Sequence, residues 1–440
     1  MLCPLLAFVL AVPPRVVSAT PDHGDDQVSP ALREVRIEFD QDMASAGWSV
    51  CGGGDLFPKI DGKLHWESPR VLVVPVKLEP GHEYRLSMNC PTGQNTRSID
   101  GEPAEVTPIW FKTAADEASA SSVVLATEVN KTALTDLMEA VASRYSYRDR
   151  VVRDWPALWD QHRTGIVGSR SRAAFARECA RVLAEAQDLH VSILVGDIEG
   201  WNVRFSTARR RVAPNVDPNT IADIVPGFAR VDERVQWGHY PDGFLYLCVC
   251  ECSEAATGAA RKVLRDVQAE GWVRGVVLDV RLNAGGDEVA AQGLAGVFLQ
   301  ESRVYAKNRY RDSTMEDGWG PVYSRVVEPA DPKDRMALPV AVLTGPYCMS
   351  SCESLVMMLK GAPRAVVVGA STFGSSGNPK PVKLGNGVTV FLSSWEDLSP
   401  AGGAIEGVGV APDVEVRTES GDFQTADPVL ERALQELRKK

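Results

Sequence analysis

The pattern of apolar and polar positions changes period several times along this chain, and each change marks a boundary. Over residues 20–114 apolar residues alternate with polar ones. Val35, Ile37 and Phe39 form one such run, and Tyr84, Leu86, Met88 and Cys90 another. Period two is the signature of half-buried strands. Val71 to Val76 is a more continuous apolar run, and Gly52-Gly53-Gly54, Asp61-Gly62, Pro80-Gly81 and Asp100-Gly101 punctuate the series with turn residues. A small β-sandwich is predicted. A small-residue linker, ADEASASS at 115–122, follows and makes the sandwich a separable unit by sequence. Over 123–195 the period becomes helical. Leu134, Leu137, Met138 and Val141 repeat at helix spacing, as do Phe175, Cys179, Val182, Leu183 and Ala186, with a short helix expected around Trp155–Trp159. This predicts a helical bundle. The last of these helices runs out at Gln187-Asp188-Leu189-His190, before an apolar stretch from Val191 to Val195.

Residues 196–242 are polar and rich in arginine, proline and asparagine, and an irregular connection is expected there. From 243 to 420 short apolar runs alternate with amphipathic ones. Gly243–Val249 and Gly275–Val280 read as buried strands, with a helix around Ala259–Ala269 between them. The same alternation leads to Val340–Leu343, a Gly345-Pro346 break, a helical segment through Leu355, Val356 and Leu359, and a strand at Ala365–Val368. Strands alternating with helices predict an α/β core with parallel strands. Residues 421–440 close the chain with a helix begun by Asp427-Pro428 and carrying Leu430, Leu434 and Leu437. The N-terminal pattern SPALREVRIEFDQDM, LEPGHEYRLSMN and IWFKTA resembles bacterial Ig-like domains, which act as spacers or binding modules.

Charge and cysteine usage narrow the classes. A formal net charge of −11 argues against nucleic-acid binding. Residues 1–19 read as an export signal, with an apolar core from Leu5 to Val12 and a small-residue cleavage site at Val17-Ser18-Ala19. The mature chain is then expected to start near Thr20, in a secreted, periplasmic or envelope setting. That run is too short to span a bilayer, and no other transmembrane candidate is seen. Cys51 and Cys90 lie in one small domain and are able to pair in an oxidising compartment. Cys248, Cys250 and Cys252 alternate along a strand without a histidine pair, which reads as buried thiols and not as a zinc site. No metal or cofactor is expected.

Ser350 sits at a strand-to-helix junction, where unpaired N–H groups and the helix dipole favour developing negative charge. Two readings stand side by side. Ser350-x-x-Glu353 is a capping box, and Ser350 is also placed as a nucleophile. The surrounding sequence is not G-x-S-x-G, which disfavours an α/β-hydrolase.

Four stretches in order resolve the choice. They are Asp279-Val280-Arg281-Leu282-Asn283-Ala284-Gly285-Gly286, the Ser350–Glu353 cluster, Thr372-Phe373-Gly374-Ser375-Ser376, and Glu406-Gly407-Val408-Gly409-Val410-Ala411-Pro412-Asp413. Between Gly243 and Val416 they resemble the carboxyl-terminal-processing (tail-specific) serine peptidases, a family that includes the tricorn core protease. The resemblance implies a ClpP/crotonase-like α/β core, a protein or peptide substrate and Ser350 as nucleophile. One branch of that family uses a lysine directly after the T-x-G turn; here that position is Ser375, and Lys380 lies beyond it. The tricorn-like branch uses a histidine in a D-x-H signature, matched by Asp188-Leu189-His190. The resemblance then implies His190 as general base, Glu406 as its orienting partner, and the N–H groups of Gly286 and Ser351 as the oxyanion hole. Gly285 and Ser375 are expected to line the substrate site. About fifty residues separate His190 from Gly243, too few for a PDZ domain of usual size. The rivals are a catalytically silent relative that binds peptides or hydrophobic ligands, and a crotonase-like acyl enzyme. Neither requires a serine-histidine pair.

Overall fold

The computed structural model describes residues 13–120, 125–198, 201–206 and 212–439. The N-terminal unit is a β-sandwich of two sheets. One contains Val16–Thr20, Glu34–Phe39, Lys59–Ile60, His65–Ser68 and Val71–Lys77; the other contains Asp25–Val28, Val50–Cys51, Glu83–Met88 and Thr107–Thr113. The alternating residues Val35, Ile37, Phe39, Tyr84, Leu86 and Met88 are all buried between them, as period two requires. Cys51 and Cys90 are joined in a disulfide.

The expected start of this unit at residue 20 needs correction. Val16–Thr20 is an edge strand paired with Glu34–Phe39, and Val16 and Ala19 are buried. A bulge between Val16 and Ser18 breaks the alternation, which is why the strand does not show in the sequence. Val17-Ser18-Ala19 is therefore sandwich backbone, and a chain cut after Ala19 would lose it. Leu5–Val12 lies outside the described residues.

Three helices follow: α1 (Thr127–Arg144), α2 (Trp155–Val167) and α3 (Arg172–Leu183). They do not form the free-standing bundle expected from the sequence. Leu134, Leu137, Val141, Phe175, Cys179 and Val182 pack with Ile193, Val388, Val390 and Leu392 in one cluster. The sheet they cover runs in the order Trp201–Ser206, Ser192–Ile198, Val388–Ser393, Pro379–Lys383, so half of it comes from far downstream. The segment 196–242 is not irregular either. It completes the strand Ser192–Ile198 and contains its hairpin partner Trp201–Ser206, the short helix α4 (Pro218–Ile224), and the strands Ala229–Arg230 and Val235–His239. These elements are short and polar, and tertiary pairing overrides their weak propensity.

The α/β core is a seven-stranded sheet in the order 229–230, 235–239, 244–249, 275–279, 340–344, 365–369, 414–415. The last five strands are mutually parallel, and the first two are antiparallel additions at the edge. Every residue of Phe244–Val249, Gly275–Asp279 and Val340–Thr344 is buried, as expected for strands covered on both faces. Helices α5 (Glu254–Glu270), α6 (Glu288–Ala295) and α7 (Ser351–Leu359) cover one face, while α4 and α8 (Pro428–Arg438) cover the other.

The sandwich is tied to the helical layer. Arg177 of α3 donates to Asp22 Oδ2 at 2.6 Å and to the Val17 carbonyl at 3.1 Å, and Ser171 Oγ donates to the same Asp22 oxygen at 2.7 Å. The Asp22 and Arg177 side chains are only 6% and 11% exposed. The unit is thus docked and not a free spacer. Asp22→Ala leaves a guanidinium buried without its carboxylate and is expected to destabilise the chain by ~3 kcal/mol. The midpoint of urea unfolding reads this; an unchanged midpoint would show that the two units are energetically independent.

Candidate active site

Ser350 stands where the fully buried strand Val340–Thr344 turns into α7. Its backbone has φ +53° and ψ −126°, a conformation that disfavours any residue with a Cβ. Such strain costs about 1–3 kcal/mol and persists only where the surroundings enforce it. The enforcing contacts are visible. Ser350 N–H donates to the Ser375 carbonyl at 3.0 Å, and Met349 N–H to the Asn283 carbonyl at 3.4 Å. The conformation is that of a nucleophile elbow, reached without the G-x-S-x-G sequence. It also settles the capping question. The Ser350 side chain makes no cap hydrogen bond. Glu353 turns instead to the T-x-G turn, where it accepts from Thr372 Oγ1 at 2.5 Å, Gly374 N at 2.8 Å and Ser375 N at 2.7 Å. Burial pushes the Glu353 carboxyl up to about 7 against the pull of those donors.

The Gly-Gly turn explains its own sequence. Asn283 bridges it, accepting from Gly285 N at 2.8 Å and donating to the Val249 carbonyl at 3.1 Å. A Cβ at Gly285, where φ is +101°, would lie 2.7 Å from the Met349 carbonyl and 2.8 Å from Ser350 Cβ. Gly285 is therefore small for the sake of the serine turn and is buried, and it is not among the residues that wall the cleft at Ser350. Gly286 is exposed and walls that cleft. Ser351 Oγ donates to the Gly286 carbonyl at 2.7 Å and ties the turn to the start of α7. Asp279 and Arg281 of the same motif are structural. Arg281 is fully buried and binds both Asp279 and Asp427, the N-cap of α8.

His190 follows a tight exit from α3 in which Gln187 takes a left-handed φ of +52°. Its Nε2 lies 3.0 Å from Ser350 Oγ. Asp188 Oδ1 accepts the His190 backbone N–H at 2.8 Å and lies 3.9 Å from Nδ1. Asp188 is fully buried, and its Oδ2 accepts from Ser393 Oγ at 2.7 Å. Glu406 is buried beside them and accepts from Ser376 N at 2.7 Å, with Arg150 at 3.7 Å from its other oxygen. One carboxylate oxygen each of Asp188 and Glu406 and a ring nitrogen of His190 all lie within 4.8 Å of one another. Burial holds the His190 imidazole below its usual range, partly opposed by Asp188. Burial, with the charge of Asp188 next, drives Glu406 well above the carboxylate range. A cation would find the right residue types here, with His190 Nδ1 on the side of Asp188, although both carboxylates already accept protein hydrogen bonds.

Arg150, Tyr147 and Asp397 complete the site, and sequence reading did not single them out. Arg150 donates to the Ala186 and Gln187 carbonyls at 2.9 and 2.7 Å, fixing the turn before His190. Tyr147 OH bonds the Ser376 carbonyl, and Asp397 N–H donates to Tyr147 OH at 3.1 Å. No periodicity or motif marks them, because their partners are distant in sequence. A cleft of about 290 Å³ opens at Ser350, walled by Gly286, Glu288, Ser351, Ser376 and Trp395 among others. Ser375, expected in this wall, is fully buried; Ser376 takes the place. Lys380 sits on the strand Pro379–Lys383, outside the lining.

The strained φ yields a stability test. Glycine relieves at Ser350 what alanine does not, so Ser350→Gly is expected to exceed Ser350→Ala in stability by ~1 kcal/mol. Equal urea midpoints for the two variants would show that the turn is unstrained.

Comparison with known proteins agrees with this geometry. The model of peptidase family S41 matches residues 243–416. The carboxy-terminal processing protease CtpB of Bacillus subtilis is 26% identical over 184 residues, 42% of this chain and 36% of its own length. The chloroplastic C-terminal processing peptidase of Tetradesmus obliquus is 30% identical over 176 residues, 40% of this chain and 35% of its own. The match thus spans little more than a third of the curated relatives. A crystal structure of a putative peptidase from Parabacteroides merdae shares the fold over 70% of this chain and 96% of its own, at TM-score 0.58 and 19% identity. Mature CPAF does so over 71% and 97%, at TM-score 0.52 and 11% identity. From Gly243 to Val416, then, the chain matches the model of peptidase family S41, and the relatives it resembles there are carboxy-terminal processing proteases.

Proposed function

We propose that this chain is an exported serine endopeptidase that cleaves polypeptides through an acyl-enzyme on Ser350, with His190 as general base. One observation carries the reading: the 3.0 Å contact between His190 Nε2 and Ser350 Oγ, made by a serine held at a strained φ. The acyl-transfer template then fits residue by residue. His190 takes the Oγ proton as Ser350 attacks the scissile carbonyl, and returns it to the leaving amine. A water, deprotonated by the same imidazole, releases the acyl group. The exposed Gly286 and the start of α7 at Ser351 stand at the cleft wall, where their N–H groups would face the oxyanion.

The two carboxylates behind His190 divide the work. Asp188 faces Nδ1 and supplies the negative charge that stabilises the imidazolium. Glu406, driven towards its neutral form by burial and by Asp188, acts as a positioning partner through Ser376. Export is supported by the apolar run Leu5–Val12 and by the Cys51–Cys90 disulfide; among the described residues no helix is long and apolar enough to cross a membrane. The sandwich is assigned as an Ig-like module on its two-sheet architecture and sequence pattern.

A serine-directed fluorophosphonate is expected to label the native chain and not Ser350→Ala. His190→Ala should label at least about a hundredfold more slowly, and Lys380→Ala at the native rate. Because the base must be neutral and burial lowers its pKa, activity should rise with pH through a midpoint below the ordinary histidine value of about 6.5 and then level off. Asp188→Asn should lose most activity while Glu406→Gln keeps it within about tenfold. A dead Lys380→Ala beside an active His190→Ala would overturn the base assignment. Equal losses in Asp188→Asn and Glu406→Gln would overturn the division between the carboxylates.

A further inference from the structure

The acyl-transfer reading leaves one aromatic stripe at the mouth of the cleft unused. Tyr323–Val327, Arg303–Tyr310 and Trp395–Leu398 form a three-stranded sheet in that order. Tyr310 is directly opposite Trp395, and Tyr323 is directly opposite Asn308, two residues from Tyr310. Side chains alternate along strands, so these three rings leave the sheet on one face. Their centroids step 6.4 Å from Trp395 to Tyr310 and 6.2 Å from Tyr310 to Tyr323, both edge-on. Trp395 is a wall of the Ser350 cleft. Exposure rises outward along the row: Trp395 is half-buried, Tyr310 is 41% exposed and Tyr323 is 52% exposed. Arg325, on the same face, lies 4.6 Å from the Trp395 ring and binds Glu288 in the cleft. The stripe therefore begins in the wall of the Ser350 cleft and runs out to solvent through rings in edge-on contact. Exposed aromatic rows are features of binding surfaces.

We infer that Trp395, Tyr310 and Tyr323 form a docking subsite for an aromatic or large aliphatic side chain of an unfolded polypeptide whose scissile bond lies at Ser350. This rests on the peptidase reading and specifies its substrate class. The occupant follows from continuity with the cleft. A chain held at Ser350 and leaving past Trp395 travels over these rings, and the two ring steps correspond to about four residues of extended chain at ~3.3 Å each. Such reach needs an extended segment, which a folded substrate does not offer. The tyrosines present flat apolar faces with solvated hydroxyl ends, which suits contact that tolerates many sequences.

The test uses the full-length chain with Ser350→Ala, so that binding is read without turnover. The probes are fluorescein-labelled, unstructured Gly/Ser peptides, with and without a single phenylalanine walked along the sequence. At the best position phenylalanine is expected to tighten the Kd by about fivefold. Tyr310→Ser and Tyr323→Ser should remove that gain and leave the affinity for the peptide without phenylalanine unchanged. Both positions are exposed, and thermal melts confirm that the variants fold. In the Ser350 background the same variants should react with fluorophosphonate at the native rate. Phenylalanine that adds nothing, or whose gain survives both substitutions, overturns the proposal. So does sedimentation showing a dimer of the native chain that Tyr323→Ser dissociates, since the occupant would then be a second copy. A phenylalanine gain lost in the variants, found together with a native chain that fails to label, supports the subsite and overturns the peptidase reading instead.

Discussion

The hydrogen bond between His190 and Ser350 joins two cores that pack separately, and the rest of the structure serves to hold it at 3.0 Å. Ser350 belongs to the seven-stranded sheet and its helices; His190 belongs to the helical layer with its own four-stranded sheet. The link between them is Val388–Ser393, a strand that leaves the α/β core and inserts beside Ser192–Ile198, with Ser192 opposite Phe391 and Val195 opposite Val388. A slip of one residue would turn its buried side outward, so the apolar face of this strand sets the register. Ser393 at its end then meets the site directly. It donates to Asp188 through Oγ and accepts the Ser146 N–H on its carbonyl. Strand pairing between the two cores thus sets the distance between His190 and Ser350 together with the bonds that hold each residue's own turn.

Around this contact the protein buries several charged groups that meet polar or charged partners. Arg281 is enclosed by two carboxylates and the Asn215 carbonyl, which fastens α8 under the sheet. Glu353 receives three donors from the Thr372–Ser375 turn. Arg325 joins Glu288 to Asp397, and Asp397 in turn receives Ser376 Oγ. Removing a carboxylate partner of Arg281 or Arg325 leaves a buried charge short of a counterpart, and removing a donor from Glu353 leaves a buried acceptor unsatisfied; either costs more than the contact contributes when intact. That asymmetry gives the cleft stiff walls. It also explains how a strained Ser350 is held, since the strain is opposed by a dense set of bonds on Gly285, Asn283 and Ser375.

Much of this was legible in the sequence where the physics is local. Period two exposed the sandwich core, continuous apolar runs exposed the parallel strands, and Asp427-Pro428 exposed the start of the last helix. The glycine pair and the serine cluster were readable because close backbone approach admits few residue types; a Cβ at Gly286 would lie 2.4 Å from the Cys252 carbonyl. The D-x-H step and the missing lysine at Ser375 pointed to His190, and the structure places that imidazole on Ser350. The sequence by itself thus determined the sandwich strands after residue 20, the alternation of the α/β core and the last helix, and it singled out Ser350 and His190 as a candidate pair. Only the tertiary structure decided what required distant partners. Val16–Thr20 is a strand because Glu34–Phe39 is there to pair with it. The helical region is a layer and not a bundle because Val388–Ser393 returns to it. Glu353 clamps a turn where a capping box was legible, and Ser376 faces the cleft where Ser375 was expected, because one residue along an extended turn reverses the side chain. Arg150, Tyr147 and Asp397 carry no local signal, since the carbonyls and carboxylates they serve are brought near only by folding.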